Sequence, residues 1–482
     1  MLTLRVTWLA TRYIKEDNGT ASTENLMRRS MSRIVCALLL WSSTAATEAA
    51  TYYVATNGND SNPGTQASPW RTIQHAANVV NPGDIVNVRG GTYIEAVVLT
   101  RSGAVGNPIT FQAFPGEAPI LNGATIPNNN GFELRGASNV ILDGFEITNF
   151  RQSSLIGGAI FVHDASSNSS TTIIRNNHTH HFTGIDNPTG IWVSGYAGTV
   201  EIANNTSHNN SGSANNVNNT GIVIFQDALS SGAVTNIIVH NNLVYNENIG
   251  IKYKHAAPAG VTVTAIIEKN IVHDITGVDS QLAGIGTEQN GTVIRNNIIY
   301  NVSQNQGPGV AIGPQGGGGS ANNVQVYNNS MYNVYWGVYS PDTSHSSNPN
   351  VHDNIFFTVP LSGGIPPAAG YCLTNTSGIT GMDYDYFAGG VAVWGCWNGS
   401  GLLTLIQLLT SGFATHSLTG NPLFVNPSGA PPDFHLQAGS PARNVGTGGL
   451  DMGAYPTGTE VIGPTSIGTS SPPLAPSNLT VR

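Results

Sequence analysis

Seven segments of this chain end in the same way. Ile-Arg-Asn-Asn (174–177), Ile-Ala-Asn-Asn (202–205), Val-His-Asn-Asn (239–242), Ile-Glu-Lys-Asn (267–270), Ile-Arg-Asn-Asn (294–297), Val-Tyr-Asn-Asn (326–329) and Val-His-Asp-Asn (351–354) place their final Asn residues 28, 37, 28, 27, 32 and 25 positions apart. Each is followed by a short alternating strand, and then by a second strand opening Gly-Ile or Gly-Val at Gly190, Gly221, Gly250, Gly284, Gly309 and Gly337. Short strands with a period of two cannot each bury a face alone. Stacked as coils they bury one continuous column, and Asn at a repeated bend can bond to the Asn above and below it. The repeat therefore predicts an all-β chain folded as a right-handed parallel β-helix, with insertions looping out at fixed corners.

Composition agrees. Only 9% of the residues are Asp, Glu, Lys or Arg, against about 25% in ordinary soluble domains. Helical bundles and coiled coils need more charge than this for their exposed faces. The 57 glycines follow no three-residue period, which excludes collagen. A net charge of -9 disfavours a general nucleic-acid binder. Beyond residue 50 the chain has three lysines: Lys252, Lys254 and Lys269.

Residues 1–50 read as a mis-called start followed by a signal peptide. Met27 to Arg33 is basic, Ile34 to Trp41 is apolar, and cleavage after Ala49 would leave small residues at the expected positions. No later segment is long and apolar enough for a membrane helix. The expectation is a protein secreted from a bacterium, without membrane attachment and monomeric. Cys372 and Cys396 then lie in an oxidising compartment and suggest one disulfide; they offer no metal-site spacing.

The opening residues Tyr52-Tyr-Val-Ala-Thr-Asn-Gly-Asn-Asp60, Asn62-Pro-Gly-Thr65, Pro69-Trp-Arg-Thr-Ile-Gln74, Pro82-Gly-Asp84 and Gly91-Thr-Tyr93 resemble those of bacterial pectate-lyase-like β-helix proteins. The resemblance covers 51–455, taken as the β-helix domain. It implies a short helix, about Trp70 to Val80, capping the open end of the solenoid. Asp433 to Ala442 and Asp451 to Tyr455 resemble the closing segment of secreted β-helix proteins. Residues 456–482 read as a linker or tail, ending in what resembles the first strand of a fibronectin type III domain.

Strand alternation assigns the faces of the Gly-Ile strands. Ile160/Val162, Ile191/Val193, Ile222/Ile224, Ile251/Tyr253 and Ile285/Thr287 should point inward. Phe161/His163, Trp192/Ser194, Val223/Phe225, Lys252/Lys254, Gly286/Glu288, Ala311/Gly313 and Tyr339/Pro341 should point outward, toward solvent. Position five adds Asp164, Gln226, His255 and Gln289, and Asp227 comes next. Coils repeat at about 4.8 Å, so this face should form a groove about 25 Å long. Trp192, Phe225 and Tyr339 would stack on sugar rings, with His163, Asp227 and Gln289 as further substrate contacts. Packing of each aromatic beneath the segments before Gly190 and Gly221 is the alternative.

A β-eliminating lyase withdraws the proton next to a uronate carboxylate, which requires a base and a nearby positive charge. Neighbouring ammonium groups disfavour each other's charge, which suits one of them to act as base. Lys254 is assigned as base and Lys252 as the carboxylate-binding charge, the roles being exchangeable. His255 is the assisting group, and Glu288 orients Lys254, pairs with it, or donates a proton. Chondroitinase B-like and alginate lyases on this fold pair the groove lysine with an arginine one coil later, where this chain has Glu288. Calcium-dependent pectate lyases carry an aspartate cluster and polygalacturonases carry Asn-Thr-Asp, His-Gly and Arg-Ile-Lys motifs; neither pattern stands here. The expectation is a polysaccharide lyase acting on an acidic, uronate-containing polysaccharide. The alternatives are a glycoside hydrolase using Asp227 and Glu288, or a non-catalytic carbohydrate-binding protein. No metal is assigned; Ca2+ is allowed, but Asp60, Asp383 and Asp385 read as turn residues.

Overall fold

A computed structural model describes residues 49–465, apart from 153–156, 165–169, 186, 197, 213–218, 226–233, 256, 258–260, 277–281, 303–306, 314–320, 341–345, 358–370, 374–380, 390–393, 397–401, 404 and 411. The signal-peptide region, Gln226, Asp227 and the tail beyond 465 lie outside the described residues. So do the side chains of Cys372 and Cys396, and with them the expected disulfide.

Three parallel sheets of 12, 10 and 12 strands wind into a right-handed β-helix. One coil shows the order. Gly157–His163 lies in the ten-stranded sheet, called here the groove sheet; Thr171–Arg175 follows in the second sheet and His178–His180 in the third. The groove sheet then resumes with Pro188–Ser194, in register on the coil before: Ile160 faces Ile191 and Phe161 faces Trp192.

The corner between the second and third sheets explains the Asn repeat. Asn176, Asn204, Asn241, Lys269, Asn296, Asn328 and Asp353 have positive φ, between 51° and 58°, a conformation that Asn and Asp tolerate best after glycine. The next residue turns inward and is lost to solvent: Asn177, Asn205, Asn242, Asn270, Asn297, Asn329 and Asn354. Each of these donates its Nδ2 to the Oδ1 of the following rung at 2.9–3.1 Å, and the ladder ends on Asp385.

The core is a column of apolar side chains. Ile160, Val162, Ile191, Val193, Ile222, Ile224, Ile251, Tyr253 and Ile285 are fully buried, and Thr287 is nearly so, as alternation predicts. The glycine opening each groove strand is needed for close approach. A Cβ on Gly250 would sit 2.3 Å from the Gly284 carbonyl oxygen and 2.4 Å from Val272.

The capping helix is shorter than expected, Ile73–Val79, because Trp70 is held in an extended bridge with Val54. Thr72 caps its first turn. Glu95 accepts from the Ile73 and Gln74 amides, and Asp60 accepts from those of Arg71 and Thr72. At the other end, Asp433–Leu436 pairs antiparallel with Phe424–Asn426. The chain then runs back over the outside of the third sheet, where Met452 and Ala454 pack with Ile298 and Ile355. It continues past Tyr455: Asn241 donates to the Val461 carbonyl, and the Gly463 amide to that of Lys269, each at 2.8 Å. No described helix is long and apolar enough to cross a membrane.

Candidate active site

Two rows of side chains leave the outer face of the groove sheet. Register pairing gives the first as Glu133, Phe161, Trp192, Val223, Lys252, Gly286, Ala311 and Tyr339. The second begins Arg135, His163, Ser194, Phe225, Lys254. Glu133 and Arg135 were not anticipated. They belong to the strand Phe132–Arg135, one coil before the first strand whose register was read from the sequence. Its alternating Phe-Glu-Leu-Arg was the available signal.

The expectation that the aromatic row faces solvent is corrected by burial. Phe161, Trp192 and Val223 are 6%, 2% and 4% exposed and form a small cluster of their own, with Phe225 packed against it. Large side chains on strands one coil apart pack against one another. The Phe161 and Trp192 rings meet edge to face at 6.2 Å, and those of Trp192 and Phe225 lie 5.6 Å apart. Trp192 Nε1 is buried with no hydrogen-bond partner among the described residues. Trp192, Val223, Phe225, Lys252 and Lys254 line one small pocket together with Thr189 and Thr220.

The two lysines diverge. Lys252 is 3% exposed and its Nζ lies 3.4 Å from Oε1 of Glu288, which is fully buried. Glu288 was expected beside Lys254, but it pairs with Lys252. The reason lies in the row: Lys252 faces Gly286, which has no side chain, so the lysine stem lies across it toward the next coil. The other Glu288 oxygen accepts from the His255 amide at 3.0 Å, holding a residue whose φ is 64°. Lys254 remains half-buried and leans the opposite way, its Nζ 5.6 Å from the centre of the Phe225 ring. The half-buried His255 ring packs on the same phenylalanine at 4.7 Å. Gln289 is buried, accepts from the Ala257 amide and donates to the Asn290 carbonyl, so it ties the loops rather than facing the groove.

A separate charged group sits at the end of the rows. His163 is bonded to Glu133 at 2.8 Å and to Asp164 at 2.6 Å, and Arg135 reaches Glu133 at 2.6 Å. Burial opposes charge on Glu133, but His163, Arg135 and Asn130 outweigh it and hold the carboxyl down at about 2. Burial likewise opposes charge on His163, and its two carboxylate partners raise its pKa in spite of that. At the far end, Tyr339 is half-buried and stacks on Trp336 at 6.2 Å; burial pushes its phenol up.

With this geometry in hand, comparisons with known proteins become informative. A family model for a Pel9A-like, right-handed β-helix region matches residues 52–243. The crystal structure of pectate lyase Pel9A superposes with a TM-score of 0.55 at 16% identity, covering 84% of this chain and 96% of that one. Residues 52–243 thus match a Pel9A-like right-handed β-helix region, and the chain shares the right-handed β-helix fold of Pel9A. Among curated proteins, this β-helix chain is 32% identical over 130 residues to the uncharacterized protein YwoF of Bacillus subtilis, spanning 26% of this chain and 28% of that protein. It is also 32% identical over 140 residues to the pectate lyase PEL9 of Emericella nidulans, over 27% and 34% of the respective lengths. The chain thus spans about a third of each curated relative.

The aspartates weighed for calcium have bonded partners. Asp60 fixes the start of the capping helix. Asp383 bonds the His416 amide and ring, and Asp385 closes the Asn ladder. What the groove of this β-helix offers chemistry is a half-buried amine and imidazole on one aromatic ring, above a buried Lys252–Glu288 pair.

Proposed function

We propose that this protein is a polysaccharide lyase that cleaves a uronate-containing polymer by β-elimination, with Lys254 as the base. The observation that carries the reading is the divergence of the two lysines: Lys252 is committed to Glu288, which leaves Lys254 at the surface of an aromatic-lined site. The chemistry fits a primary amine. The neutral amine of Lys254 takes the proton α to the carboxylate; the electron pair forms an enolate and then the C4–C5 double bond as the C4–O bond breaks. His255, the next residue, returns a proton to the departing oxygen. Lys252, expected to bind the substrate carboxylate, is instead buried and paired with Glu288, and so supports the strand beneath Lys254. Phe225, half-buried beside Lys254, gives apolar surface for a sugar ring, with Trp192 buried behind it.

The hydrolase alternative has less support. It needs two carboxylates that reach the substrate, and Glu288 is fully buried against Lys252. The basic and apolar run before Ala49 supports export to where such polymers are found.

The test is the ultraviolet absorbance of the unsaturated product on pectate, alginate and glycosaminoglycans. Lys254→Ala should abolish it. No absorbance on any uronate polymer would overturn the lyase reading, and new reducing ends without absorbance would establish a hydrolase instead.

A further inference from the structure

On the outer face of the third sheet, apart from the groove sheet, imidazoles gather where three coils meet. The strands are Glu146–Thr148, His178–His180 and Thr206–His208, stacked in parallel register. His178 faces Glu146, and His180 faces Thr148 on one side and His208 on the other. His178 and His180 are two apart on one strand, so both side chains leave the same face.

Their donor atoms converge. Glu146, His178 and His180 each place one ligand atom within 4.8 Å of the others, and all three are half-buried. His180 Nε2 lies 3.3 Å from Glu146 Oε1, and His178 Nε2 lies 2.8 Å from His208 Nε2. At tetrahedral bond lengths near 2.1 Å, two ligand atoms of one metal stand about 3.4 Å apart, close to the 3.3 Å between His180 Nε2 and Glu146 Oε1. The outer contacts also suit ligation: His180 Nδ1 is within hydrogen-bond reach of Thr148 Oγ1 at 3.1 Å and of His181 at 2.6 Å, which fixes the ring with its other nitrogen toward Glu146.

Two imidazole nitrogens 2.8 Å apart can share only one proton, and the ring of His208 is stacked parallel to His180 at 5.2 Å. Among the described residues one carboxylate, Glu146, bonds to this group of rings.

We propose that Glu146, His178 and His180 bind one divalent transition-metal ion, which clamps two successive coils of the third sheet, with the His208 ring stacked against His180 from the next coil. Imidazole with one carboxylate suits Zn2+, Co2+, Ni2+ or Cu2+, whereas Ca2+ takes an all-oxygen shell. The sequence showed no local metal spacing beyond His178-Thr-His180, because the solenoid draws the donors from two coils.

Co2+ is the probe. It is titrated into the full chain, free of any histidine tag and stripped with chelator, while visible ligand-field absorbance is followed. The expected result is saturation at one equivalent, displacement of the bands by Zn2+, and a higher melting temperature with metal. His178→Ala/His180→Ala should lose the bands while retaining the parent's circular dichroism in chelator. Glu146→Gln, which keeps the side chain's shape, should weaken Co2+ by at least about tenfold. Failure to reach one equivalent overturns the site, as does binding unchanged in the double variant. If the double variant does not fold, unchanged affinity in Glu146→Gln overturns it alone.

Discussion

Lys252 Nζ lies 3.4 Å from Glu288 Oε1, with the two side chains 3% and 0% exposed. The pair links consecutive coils of the groove sheet beneath the site. Glu288 also holds the amide of His255, so one buried carboxylate joins the lysine, the turn after Lys254 and the next coil. Lys252 and Lys254 are two residues apart on one strand, yet one supports the structure and the other is available to a substrate.

Lys252→Met and Lys254→Met should therefore differ in kind. Removing one partner of a buried pair leaves an uncompensated charge and costs about 3–5 kcal/mol. Lys252→Met should lose that much in urea unfolding, and Lys252→Met/Glu288→Gln should recover much of it. Lys254→Met should change stability by less than about 1 kcal/mol, since among the described residues its half-buried amine meets only the Phe225 ring, but should eliminate product formation. Equal stability losses in the two single variants would contradict the separation.

The Asn ladder makes a second prediction. Asn270 Oδ1 accepts from both the amide and the Nδ2 of Asn242, while its own Nδ2 donates to Asn297. Asn270→Ala orphans buried groups at about 1–3 kcal/mol each. Asn270→Asp should be no better: a mid-ladder side chain must donate on one side and accept on the other, and a carboxylate only accepts. Equilibrium unfolding of both variants checks this.

The coils were legible because their corner needs a residue that tolerates positive φ followed by one that bonds up and down the stack, and Asn-Asn records both demands. The groove rows followed from alternation alone, and Ile222, Ile224 and Ile251 lie inward as read. What alternation could not show is how far a long side chain leans. Lys252 reaches past Gly286 to Glu288, so the expected Glu288–Lys254 contact is absent, and the aromatics shelter one another instead of facing water. The donor Glu146 was equally hidden, since its nearness to His178 and His180 depends on a coil of about 30 residues closing in register.

The ends of the groove should govern substrate length. Lys252 and Tyr339 share a row three coils apart, via Gly286 and Ala311, which at about 4.8 Å per coil is about 14 Å. Tyr339→Ala should therefore raise KM on polymer several-fold while leaving kcat and the cleavage of the shortest oligomers nearly unchanged. A proportionate loss on every length would place Tyr339 in the structural support of the sheet instead.

The last rung of the ladder predicts a pH effect on stability. Asp385 is fully buried, and that burial pushes its carboxyl up to about 7 despite hydrogen bonds from Tyr371 and Asn354. In the unfolded chain the same group titrates near 3.9. Between those values the native state holds a proton that the unfolded state has released, so stability falls as pH rises from about 4 to about 7 and then levels. Asp385→Asn keeps the Oδ1 that accepts from Asn354 and cannot ionise, and Tyr371 can accept from the new amide. The variant should match the parent below this window and melt at a higher temperature above it. Glu247, pushed by burial up to about 8, adds a slope of the same sign to both proteins. The informative quantity is thus the difference between their melting curves across pH, and a difference that does not grow from acid to neutral would show that Asp385 is ionised in the folded protein throughout.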